Sequence, residues 1–177
     1  LIETAGARRL ALNDPRRFGS LDLVPTAEVA VFAPFAALGP EPLGDAFDAA
    51  HLARAIAGRI APIKALLLDQ RILAGLGNIY VCEALHIARI APDKAGGAIS
   101  RPRIPALVVA IRQVLEQAIA AGGSTLRDFA RPDGELGYFS KQWLVYGREG
   151  EACGCGAAIQ RRVDGGRSTF HCAKCQR

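Results

Sequence analysis

The sequence predicts an α+β protein, and three observations carry that expectation. Leucines recur two residues apart near the start, at Leu10 and Leu12 and again at Leu21 and Leu23, which is the period of a strand. Apolar residues recur at helical spacing through the middle of the chain. At the end, Cys153, Cys155, Cys172 and Cys175 bracket a Gly-Gly turn.

Taken in order, residues 1–24, with Asn13-Asp14-Pro15 as a turn signal, read as β-hairpin material. A hairpin alone is marginal in water, so its sheet partners are expected to precede Leu1. The absence of methionine from all 177 residues raises the same expectation. Residues 25–44, rich in Pro, Ala and Gly, read as a linker. From 45 to 146 the pattern is helical. Asp45 is the expected N-cap of a helix with Leu52, Ile56 and Ile60 on one face. Pro62 suits the first turn of the next helix, "IKALLLDQ", and Gly75 and Gly77 break it before Asn78 caps "IYVCEALHIA". Pro105 opens a helix whose apolar stripe is Leu107, Ile111, Val114, Leu115, Ala118 and Ile119, ended by Gly122-Gly123. "STLRDFARPDGELGYFSKQW" reads as an ordered loop with scattered aromatics, and Cys82 as a small buried hydrophobe.

Half of the residues are hydrophobic, enough for a folded core. The net charge of +5 and pI of about 9.2 suit a polyanionic partner and equally suit plain solubility. The apolar stretches around Leu66 and Val108 are interrupted by Lys64, Asp69, Arg103 and Arg112, so no membrane span is expected. "LIETAGARRL" lacks the pattern of a secretory signal, and the expected compartment is the cytosol.

Two short cysteine pairs, 16 residues apart, read as a four-thiolate zinc site over residues 147–177, since zinc takes tetrahedral soft ligands and each chain turn supplies two. The first pair is C-x-C, which demands a tighter turn than the usual C-x-x-C. Two disulfides, or His171 in place of one cysteine, are the other readings. Between the pairs, "AAIQRRV" and "STFHC" form two short strands and "DGGR" their turn. Arg167 then stands at or beside the tip, either aimed at a partner or simply exposed. In a module this small the metal supplies the folding energy.

Upstream, Gly75 and Gly77 permit a turn that leaves the amides from Asn78 onward facing outward as an anion site, with Lys64 and Arg59 nearby to clamp a phosphate. A helical hairpin with an ordinary surface lysine explains the same residues.

"DPRRFG" (14–19), "LLLDQRILAGLGNIYVCEAL" (66–85), "VYGREG" (145–150) and the terminal "GGRSTFHCAKCQR" together resemble the bacterial formamidopyrimidine-DNA glycosylases. The resemblance implies a remnant of an N-terminal β-sandwich, then a helix-two-turn-helix domain, then a zinc finger holding one structural zinc. It implies double-stranded DNA with a damaged base or abasic site as partner, and a base flipped from the stack. Lys64, Asn78, Tyr146 and Arg167 match the family's phosphate-gripping positions, Arg59 is a further candidate, and Arg167 also takes the family's proton-donor role in late strand cleavage. Arg16 and Phe18 match the pair that fills the void left by the flipped base, although Phe18 alone reads as hairpin core. Gly134–Tyr138 fall near the family's lid. The family's nucleophile, an N-terminal proline, and its adjacent glutamate and upstream lysine are not in the chain. The expectation is the C-terminal half of a bifunctional glycosylase and abasic-site lyase that excises 8-oxoguanine and formamidopyrimidines: a monomer, DNA-binding and inactive alone. A non-catalytic zinc-containing nucleic-acid-binding module is the rival from another class, and a disulfide-stapled extracellular protein a second.

Overall fold

The computed structural model describes the chain apart from residues 1, 4, 5, 7, 13, 15–18 and 124–138. It divides into two compact units, Leu1–Ala36 and Ala37–Arg177. In the first, β1 (Ile2–Glu3) pairs antiparallel with β2 (Arg9–Leu10), and Arg9 Nε donates to Glu3 Oε1 at 2.7 Å. This ladder lies wholly before Asn13-Asp14-Pro15, so the strands it joins are not the pair that the leucine period and that turn implied. Leu12, Leu21 and Leu23 lie outside any strand and are 61%, 64% and 101% exposed, because a two-residue ladder offers no apolar face to bury them. Residues expected as linker instead form a 3-10 turn, Thr26–Val31, and a short helix α1, Ala33–Ala36, with Phe32 and Phe35 edge to face at 5.7 Å. Arg16 and Phe18 lie outside the described residues.

The second unit is built on helices. α2 (Ala49–Ile56) is capped by Asp48, whose carboxylate accepts the His51 N–H at 2.6 Å, three residues beyond the expected Asp45. Gly58, at φ +66°, ends the helical path, so Ile60 leaves the Leu52–Ile56 face and is 93% exposed. α3 (Ile63–Leu68) starts directly after Pro62, where a missing N–H costs nothing. Gly75, at φ +78°, turns the chain back into α4 (Asn78–Ile87), which Gly77 rather than Asn78 precedes as N-cap. α5 (Arg103–Ala120) begins two residues before Pro105, which sits in the first turn. Its Leu107, Ile111, Val114 and Ala118 are buried, whereas Ile119 is 65% exposed. Gly123 closes the helix by donating its N–H to Ala118 O at 2.7 Å.

The helices share one core, with Leu52, Ile63, Leu67, Leu85, Leu107 and Ile111 at its centre. β3 (Gln160–Asp164) and β4 (Arg167–His171) form an antiparallel hairpin whose Gly165-Gly166 turn has both φ angles positive, as a two-residue hairpin turn requires. A second small cluster under it joins Ile159, Phe170, Cys153 and Cys172 to Val145 and to Cys82 of α4. Cys82 is thus the small buried hydrophobe expected, and it seats the hairpin on the helical core. The α+β class holds. Among the described residues no helix is long and apolar enough to cross a membrane.

Leu107→Ala should cost about 2–5 kcal/mol of unfolding free energy, read as a lower denaturant midpoint of the helical signal. Ile119→Ala, on the exposed face of the same helix, should stay within about 0.5 kcal/mol. Equal costs would contradict the packing of α5.

Candidate nucleic-acid interface

Side chains from two helices meet at one backbone carbonyl, that of Ser168 on β4. Lys64, at the start of α3, is 3% exposed, and its ammonium donates to Thr169 Oγ1 at 2.6 Å and to Ser168 O at 3.3 Å. Asn78, the first residue of α4, donates its side-chain amide to Ser168 O at 2.9 Å and to Tyr146 Oη at 3.4 Å. The Asn78 side chain thus ties the start of α4 to Tyr146 and to the hairpin instead of capping its own helix. Burial pushes the Lys64 pKa down, since desolvation disfavours the charged form.

Tyr146 is held by a residue the sequence reading missed. Glu83, in the middle of α4, is 2% exposed, and its carboxylate accepts the backbone N–H groups of Leu144, Val145 and Tyr146 at 2.7, 3.0 and 2.8 Å. Three amides around one carboxylate satisfy a charge that burial would otherwise make costly. Its only trace in the sequence is one acidic residue inside the apolar run "NIYVCEALHI". The Tyr146 ring packs on Phe170 at 4.8 Å and edge-on to Trp143 at 5.1 Å.

Beside this junction a cavity of about 390 Å³ lies between α3 and the hairpin tip, lined among others by Lys64, Asp69, Asp93, Arg162, Asp164 and Arg167. Arg167 opens β4 opposite Asp164 and is exposed, as the sequence reading placed it. Among the described residues nothing hydrogen-bonds its guanidinium. Arg59 is exposed on the segment between α2 and α3, close enough to Asp69 to lower its pKa. Asp69 itself is held at about 2, chiefly by hydrogen bonds from the Arg71 side chain and backbone. The structure thus brings Lys64, Asn78, Tyr146 and Arg167 together. Arg16, Phe18 and Gly134–Tyr138 lie outside the described residues.

The sulfur atoms of Cys153, Cys155, Cys172 and Cys175 all lie within 4.8 Å of one another, a group that could hold a metal ion. Cys153–Cys175 and Cys155–Cys172 are 3.8 and 3.6 Å apart, well beyond a disulfide bond of about 2.05 Å, which overturns the disulfide reading. The tight C-x-C turn is made by Gly156 at φ +81°, whose N–H donates to Cys153 O at 2.8 Å. The Ala157 amide beside Cys155 is the main influence lowering that thiol to about 6. His171 is buried outside the sulfur cluster, and its Nδ1 has no hydrogen-bond partner among the described residues. Gln176 anchors the cluster to the segment after α4, accepting from Cys172 N at 2.8 Å and donating to Ile90 O at 2.9 Å.

Comparison with known proteins places this geometry. The formamidopyrimidine-DNA glycosylase H2TH domain family matches residues 38–130. The formamidopyrimidine-DNA glycosylase of Rhizorhabdus wittichii is 67% identical over all 177 residues, which cover 66% of that protein. The chain therefore spans just under two thirds of this relative. Among solved structures, the MutM (Fpg) protein of Thermus thermophilus superimposes with a TM-score of 0.86 at 44% identity, over 92% of this chain and 62% of that one. Lactococcus lactis Fpg in complex with abasic-site DNA gives 0.85 at 37% identity, over 93% and 60%.

Two outcomes follow from the site. Glu83→Gln removes the carboxylate that three amides share and should cost about 1.5–3 kcal/mol. It should also speed hydrogen exchange at Leu144, Val145 and Tyr146; unchanged exchange there would contradict the role given to Glu83. The Asp69 pKa lies below an ordinary aspartate's 3.8, so its contribution to stability is complete above that value and fades as pH falls toward about 2. Asp69→Asn should therefore flatten the acid limb of a pH–stability profile. An unchanged limb would show that the Arg71 pairing carries no stability.

Proposed function

We propose, for a chain that belongs to the formamidopyrimidine-DNA glycosylase H2TH domain family, that residues 37–177 grip duplex DNA at a damaged base or abasic site. The carrying observation is that Lys64 and Asn78 both donate to the Ser168 carbonyl, with Tyr146 Oη held by Asn78, next to the exposed guanidinium of Arg167. Each group has phosphate chemistry to offer. Tyr146 Oη accepts from Asn78, which leaves its own proton to donate. Gly77 brings no side chain to cap α4, so the amides of the first turn remain donors for an anion at the positive end of the helix. Arg167 supplies an always-charged fork at the tip, and Arg59 a second exposed cation.

The metal of this reading is one structural zinc on Cys153, Cys155, Cys172 and Cys175. Thiolates about 2.3 Å from a tetrahedral zinc sit about 3.8 Å apart, which the 3.6 and 3.8 Å sulfur separations fit. When bound, the ion supplies cross-linking and folding energy only. The hairpin, with its small core, then carries Arg167 rigidly.

For the whole protein the proposed activity is excision of oxidised purines, 8-oxoguanine and formamidopyrimidines, with cleavage at the abasic site. In this reading the nucleophile is an N-terminal proline amine, and residues 37–177 supply the grip on DNA. Arg167 adds a proton donor for late strand cleavage, and Arg16 and Phe18 fill the stack behind the flipped base. The extents are 1–24 for the remnant of the catalytic domain, 25–44 for the linker, 45–146 for the helical DNA-binding domain and 147–177 for the zinc finger. The protein acts as a monomer in the bacterial cytoplasm, on the nucleoid.

Anisotropy titrations with an abasic-site duplex over a range of salt test the grip. Arg167→Ala should weaken binding and reduce the slope of log affinity against log salt by about 0.9 for one lost phosphate contact. An unchanged slope would show that Arg167 touches no phosphate.

A further inference from the structure

The geometry points to Asp93 and Arg162 as positioning residues that set the aim of Arg167, an inference that rests on the DNA grip described above. Asp93 lies on the loop after α4 and belongs to none of the motifs that carry the family resemblance. Its carboxylate accepts from Arg162 Nη1 at 2.7 Å, across to β3 of the hairpin. The same guanidinium donates through Nε to Asp164 Oδ2 at 2.9 Å. Asp164 Oδ2 also accepts from Thr169 Oγ1 at 2.6 Å, and Thr169 Oγ1 accepts from Lys64 Nζ at 2.6 Å. An unbroken polar chain thus runs from the loop after α4, through both strands, to α3.

That chain crosses the hairpin from Asp164 to Thr169, and Asp164 is also the ladder partner of Arg167 in the last pair before the Gly165-Gly166 turn. A two-glycine turn fixes little by itself, because glycine has the widest backbone freedom of any residue. Asp164 and Arg162 brace one side of the tip and Thr169 the other, so the tip's tilt relative to α3 is set by these contacts. Both links hold their carboxylates charged. Hydrogen bonding from Arg162 is the largest influence keeping Asp93 below the usual range, while at Asp164 burial is opposed and outweighed by bonds from Thr169 and Arg162.

Charge makes the arrangement informative. Asp93 and Asp164 line the same cavity as Lys64 and Arg167, on a face that is to receive phosphates. As bare charges they oppose binding. Asp93 is 60% exposed, and an ion pair this open contributes little to stability. Orientation is what remains for it to do: it holds Arg162, and through Arg162 the tip.

The two roles differ in sign. If Asp93 acts only through its charge, Asp93→Ala removes a repulsion and abasic-site duplex binds more tightly. If it positions the tip, binding weakens, by about fivefold, as for other coupled contacts. Its salt slope should then fall by about 0.9, like that of Arg167→Ala. The double variant Asp93→Ala/Arg167→Ala should bind no more weakly than Arg167→Ala alone. The measurements use the full chain with its metal content checked, and Asp93→Ser serves as a second variant should the alanine protein unfold. Equal or tighter binding by Asp93→Ala, or full additivity in the double variant, overturns the positioning role while a lowered slope for Arg167→Ala leaves the grip standing. An unchanged slope for Arg167→Ala removes the grip and this inference with it.

Discussion

The Ser168 carbonyl, 2.9 Å from the Asn78 amide and 3.3 Å from the Lys64 ammonium, is where the terminal hairpin and the helical core become one surface. A strand edge normally offers its carbonyls to another strand or to water. Here the edge of β4 is taken by side chains from two helices. The consequence is geometric: the residue next to Ser168 is Arg167, whose backbone is fixed within one residue of the anchor while its side chain stays open. Burying Lys64 is costly, as its lowered pKa records, and the cost is tolerable because Thr169 Oγ1 and the carbonyl replace water around the ammonium.

The same logic recurs at Glu83. A buried carboxylate surrounded by three backbone amides fixes residues 144–146 without any regular secondary structure, and so fixes Tyr146 against Asn78 and Phe170. The interface is therefore assembled from one cation, one anion and one amide nitrogen, each of which bonds backbone groups of another element. Such contacts specify a single arrangement, because a shift of any element leaves a buried polar group unpaired.

Much of this was legible in the sequence, for identifiable reasons. Cysteine spacing and the Gly165-Gly166 turn are local signals, and they foretold the sulfur cluster and the hairpin. The α5 stripe and the Gly75 turn were legible because periodicity and glycine placement act within a few residues. The period-two leucines misled, since alternation says only that a face would be apolar if a second layer covered it. Asp45 and Asp48 are equally good caps by composition, and only the extended backbone at Asp48 chooses between them. Glu83, Thr169 and the Ser168 carbonyl were illegible because their roles depend on partners 61 to 105 residues away, and a backbone carbonyl has no sequence signature at all.

The most direct measurement of the central claim, that a metal-held hairpin completes the DNA grip, is the affinity for an abasic-site duplex before and after the metal is stripped, with helical content followed on the same samples. The account expects the helical signal to persist, DNA binding to collapse, and zinc to restore it. Undiminished binding by metal-free protein would mean that the grip forms without the four-cysteine centre.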